Sequence, residues 1–172
     1  LRAGADIFTE RLLPPRGLIT FPWLTMSNPY LPGIRGGGAM LGFSPETTSA
    51  DLLRSLAAGM CFEFYRIFES VGTKGLINGI VLGGGASKGF FFRQLLAALF
   101  DPIKTYSANA SDLAGACGAV SILNPHAGKP ELTAIEPPDG LTAILRERYA
   151  DYLTAFDAVC GKTPRGAPIR IH

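Results

Sequence analysis

Three consecutive glycines at the end of an apolar run are the part of this sequence best suited to hold a ligand. Asn78 to Leu82 reads as a strand that breaks into Gly83-Gly84-Gly85-Ala86-Ser87, with a helix beginning near Ser87. A strand ending this way leaves backbone amides bare at the carboxyl edge of a sheet, and glycine lets a ligand lie directly on the main chain. The unpaired N–H groups of the following helix would face the same crevice, which is where open α/β sheets bind ligands. A plain strand-to-helix turn would use the same residues, so the cluster alone does not separate binding from turning.

Other chemistry is sparse. A dinucleotide fingerprint fits Gly83 to Gly89 only loosely, because Asp101 precedes Pro102 at a helix end and does not follow a second strand. A Walker A loop is excluded, since Lys88-Gly89 lacks the Gly-Lys-Ser/Thr order. Lys88 reads as a solvated helix-start residue. Asp6 and Glu10 fall in the lead-in, Asp112 reads as a helix cap, and Glu63 reads as pairing with Arg66 on an exposed helix face. Arg35 is the charged residue whose loop would border a cleft. Cys61, Cys117 and Cys160 are far apart, and His126 and His172 are the histidines, so no zinc site is expected. Buried free thiols in a reducing cytoplasm are the simpler reading.

The chain that positions these residues has 172 residues, 47% hydrophobic and 17% charged, which suits a well-packed globular protein. Its net charge of +2 is small and its basic residues are scattered, so neither nucleic acid nor a membrane surface is an expected partner. No apolar run approaches the roughly 20 residues of a membrane span.

Residues 1–17 read as a linker or a remnant of a preceding region, 18–160 as the domain, and 161–172 as a tail, either disordered or artificial. Leu1 to Glu10 resembles the interior of something longer, so a fragment is expected. Leu18 to Leu24 suits an edge strand limited by Pro22, and Thr25 to Gly42 a long loop. Ser44 to Ser70 is the clearest helix. Leu53, Leu56, Ala57, Met60, Phe64, Ile67 and Phe68 recur at helical steps as its core face; Thr48 or Ser49 caps it and Gly72 ends it.

A buried strand, Ile77 to Leu82, precedes the glycines. The next helix has Phe92, Leu95, Leu96 and Leu99 on one face and stops at Asp101-Pro102. Ile103 to Tyr106 is a second strand. A third helix, Leu113 to Leu123, is built largely of Ala and Gly, and a polar, Pro-rich loop runs to Asp139. The last helix carries Leu141, Leu145, Arg148, Tyr152 and Phe156 and ends near Gly161. Helices alternating with strands predict an α/β layer with parallel strands.

The stretch from Ile77 to Ile122 resembles the adenosine-binding segment of the FGGY carbohydrate kinases. There a strand ends in Gly-Gly-Gly-Ala, a helix with an Arg/Gln pair follows (here Arg93-Gln94), and a short strand leads to an Ala/Gly-rich helix (here Leu113 to Val120). Phe21 to Leu24 and Asn28 to Arg35 are similar to the family's "PYL-x-GER" loop, and Gly38, Met40, Gly42, Asp51-Leu52 and Ser55 follow its C-terminal signature. Xylulokinase-like members are the most similar. Ile34 stands where the family has Glu, and Ala58 replaces the acidic residue before Gly59.

The resemblance implies a partial C-terminal domain of the actin-like, ribonuclease H-like class, with parallel strands and packed helices. It implies ATP as phosphoryl donor, Mg²⁺, and transfer to a hydroxyl of a sugar such as a pentulose, with Gly83, Gly84, Gly85, Ala86 and Ser87 as the nucleotide shelf. The family's catalytic Asp, main phosphate loop and sugar-binding domain lie upstream of this segment, so no catalytic residue is assigned here. The sugar would meet the protein through an N-terminal domain, and self-association into a homodimer is a further expectation. Two other readings stay open: a non-catalytic actin-like interaction domain, and a Rossmann-type dehydrogenase or methyltransferase fragment.

Overall fold

A computed structural model of the chain describes residues 7–8, 11–23, 38–71, 75–108, 120, 122, 124 and 130–160. Their order is β1 (Ile19–Phe21), β2 (Ala39–Leu41), α1 (Ser49–Val71), β3 (Gly79–Leu82), a 3-10 turn (Gly85–Lys88), α2 (Phe90–Phe100), β4 (Lys104–Ala108), β5 (Leu132–Ala134) and α3 (Leu141–Cys160). The chain divides into two compact units, one of residues 1–75 and 146–172 and one of residues 76–145.

In the first unit β1 and β2 pair antiparallel, with Thr20 opposite Met40. β2 lies inside the expected long loop. It is only three residues long and follows Gly36-Gly37-Gly38, so no alternation announces it. α1 starts five residues later than its periodicity suggests, at a capping box. The Asp51 amide donates to Thr48 Oγ1 (3.1 Å), and the Thr48 hydroxyl (2.7 Å) and amide (3.2 Å) donate to Asp51 Oδ2. Those bonds, the hydroxyl's first, and the charge of Arg54 hold the Asp51 carboxyl below the usual carboxylate range. Arg54 also ties the lead-in to the helix, donating to the carbonyls of Ile7 (2.6 Å from Nη2) and Arg11 (3.1 Å from Nε).

The buried face of α1 is not the one its large apolar residues mark. Leu53 and Met60 are 47% exposed and Phe64 is 56% exposed, while Ser55, Ala58, Cys61, Phe62 and Tyr65 are buried. The cause is close packing on β1. A Cβ on Gly59 would fall onto the Thr20 carbonyl, and Ser55 Oγ lies 2.7 Å from Thr20 Oγ1 while also donating to the Leu18 carbonyl at 3.1 Å. Small residues are what such an approach admits. Ala58 belongs to this face and lines, with Thr20, Ser55 and Tyr152, a cavity of about 20 Å³, room for one water.

Glu63 and Arg66 do pair, at 2.6 Å and 2.9 Å, but not on an exposed face: Glu63 is buried and also accepts from Tyr152 of α3. The Arg66 guanidinium lies 4.5 Å from the Phe156 ring centroid. Burial opposes its charge, yet the Glu63 hydrogen bond and charge outweigh burial and raise its pKa. Around this pair Phe21, Trp23, Phe62, Tyr65, Tyr149, Tyr152 and Phe156 form an aromatic core with ring separations of 5.0 Å to 6.3 Å. On α3, Tyr149 takes the buried place expected of Arg148, which is half-buried.

In the second unit the strand order is β3-β4-β5. β3 and β4 are parallel, Leu82 opposite Ser107, with α2 as the crossover; β5 adds antiparallel, Tyr106 opposite Ala134. β5 arises from the expected Pro-rich loop. β3 begins at Gly79 and is not buried, since only Leu82 is and Val81 is 51% exposed; among the described residues it pairs with β4 alone. On α2, Phe91, Leu95 and Ala98 are buried, whereas Phe92 and Leu96 are half-buried. The expected third helix is described only at Val120 and Ile122, both helical, and Asp112, Ile34 and Arg35 lie outside the described residues. So do Gly72, Asp6, Glu10, Cys117 and the expected tail.

Candidate functional site

The glycine turn sits where the apolar run ends. Leu82 is the last strand residue, with its side chain buried; Gly83 and Gly85 are exposed and Gly84 is half-exposed. Gly84 has φ +86°, a left-handed conformation that side chains rarely tolerate. This residue turns the chain out of the sheet, and its amino-acid type follows from that backbone alone. Gly85 needs no such allowance, and at both positions the space a Cβ would occupy has nothing within 4 Å. The space beside these two residues is therefore free of described atoms on the Cβ side, as a ligand approaching the backbone there requires.

The helix does not begin at Ser87 as its sequence suggests. Gly85 to Lys88 form a 3-10 turn and α2 starts at Phe90, after Gly89 with an extended backbone (φ −71°, ψ 121°) and no side-chain cap. Ala86 and Ser87 lie in that turn by their backbone, with Gly85, while Gly83 and the bend at Gly84 join it to β3. Lys88 is exposed. Arg93 and Gln94 are half-buried on α2, and the Gln94 side-chain oxygen is buried with no hydrogen-bond partner among the described residues.

The sequence pattern missed the far end of β4. That strand runs to Ala108, two residues beyond the expected Tyr106, and its pairing puts Ser107 beside Leu82 at the edge where the glycines begin. No alternation marks that end, since Thr105 is buried and Tyr106, Ser107 and Ala108 are all half-buried. Among the described residues no group of His, Cys, Asp and Glu could hold a metal ion, and no helix is long and apolar enough to cross a membrane. Cys61 is a buried free thiol whose pKa burial pushes up.

Comparison with known proteins gives this geometry a context. The family model for the C-terminal domain of the FGGY family of carbohydrate kinases matches residues 9–123, more than half of the chain. Among curated proteins no sequence match emerges. Among solved structures, a xylulose kinase from Rhodospirillum rubrum matches with 17% identity and TM-score 0.64, over 92% of this chain and 33% of that one. A gluconate kinase from Lactobacillus acidophilus matches with 17% identity and TM-score 0.67, over 94% and 35%. The Plasmodium falciparum glycerol kinase, solved with ADP, matches with 15% identity and TM-score 0.63, over 94% and 34%.

The chain thus spans about a third of the length of these structures. At such identities they show the fold, an α/β arrangement of the actin-like, ribonuclease H-like class in its partial C-terminal form. The family match runs through the glycine turn and α1 together. The chain belongs to the FGGY family of carbohydrate kinases and carries that family's C-terminal domain.

Proposed function

We propose that this chain is the nucleotide-binding portion of a sugar kinase and that Gly83 to Ser87 hold the adenosine of ATP. The observation carrying this reading is the space beside Gly84 and Gly85: their chain neighbours aside, no described atom stands within 4 Å of the Cβ position at either residue. A flat base or ribose laid there would use room that a side chain would fill at any other residue, so the turn needs no charged side chain to receive it. Phosphoryl transfer depends on positioning and charge neutralisation. ATP would supply the γ-phosphoryl group, and Mg²⁺ bound through its phosphate oxygens would offset the developing charge.

In this reading the chain orients the nucleotide from its adenosine end, while a base and a sugar pocket come from the remainder of a full-length kinase. The acceptor is a hydroxyl of a sugar or polyol, a pentulose such as xylulose being the first to try. Calorimetric titration of the chain with ATP, ADP, NAD and S-adenosylmethionine tests it. Binding of ATP or ADP in the millimolar range or tighter supports the reading, and NAD or S-adenosylmethionine binding without ATP binding overturns it.

A further inference from the structure

We draw no further inference here: the strongest candidate, the exposed apolar stripe of Leu53, Met60 and Val71 along α1, carries none because nothing in the structure shows what covers it.

Discussion

The phenol of Tyr152 donates a 2.9 Å hydrogen bond to Glu63 Oε2, joining α3 to α1 at a carboxylate that also holds Arg66. Eighty-nine residues separate the two, and both are buried. Burial first, then the charge of Glu63, raises the Tyr152 pKa, so the phenol remains a donor. A buried carboxylate costs stability when one of its donors is removed.

Tyr152→Phe therefore takes one donor from the buried Glu63 Oε2, which keeps Arg66 Nε. The expected loss is about 1–3 kcal/mol in urea unfolding. Tyr149→Phe is the comparison, since its 2.8 Å bond goes to Glu69, which is exposed and can be solvated instead. Equal losses in the two variants would contradict the burial argument.

Gly59 is fixed by what it touches. Gly59→Ala drives a methyl into the Thr20 carbonyl, and because that neighbour is backbone, β1 or α1 must shift. Overpacking of this kind costs about 1–3 kcal/mol. Gly75→Ala, with nothing within 4 Å of its Cβ position, should be close to neutral. A thermal melt of the two variants separates them, and a neutral Gly59→Ala would contradict the packing of α1 on β1.

The capping box carries a pH signature. The Asp51 carboxyl titrates below its unfolded value of 3.8. Its contribution is therefore fully present above that value and is lost as pH falls through the lower folded one. The stability difference between the wild type and Asp51→Asn should be constant from about pH 7 to about pH 5 and shrink below about pH 4. A difference that persists unchanged down to pH 3 would contradict the role assigned to Thr48.

Cys61 should resist thiol reagents in the folded protein. It is buried, and burial raises its pKa, so neither access nor thiolate is available. Mass spectrometry after brief alkylation should find Cys61 modified only once denaturant is added. Modification at native conditions would show that the α1 face is open.

The parts of the fold that the sequence made legible are those where one local rule decides. Thr48, one of the two caps the sequence offers, marks the start of α1, the crossover of β3, α2 and β4 follows from alternating periods, and Leu82 followed by glycines marks the sheet edge. The face of α1 was not legible. Leu53, Met60 and Phe64 are the large apolar residues, but contact with β1 selects the small ones, Ser55, Ala58 and Gly59. Glu63 and Arg66 were readable as a pair and unreadable as buried, because the donor completing them, Tyr152, is far along the chain. β2 and β5 are three residues each, too short for a period to appear, and exist through their partners.

At the turn itself, Gly84 and Gly85 separate shape from binding. Gly84→Val forces a branched side chain into φ +86°, so it should cost about 1–3 kcal/mol of stability as well as ATP affinity. Gly85→Val has no such strain and projects its side chain into open space, where the proposed adenosine lies.

The most direct test is ATP affinity of the wild type and Gly85→Val, measured by calorimetry on proteins shown to melt at the same temperature. The account predicts ATP binding by the wild type and at least a roughly tenfold weakening in the variant, about 1.4 kcal/mol. Equal affinity in the two proteins, or no ATP binding by the wild type, would contradict it.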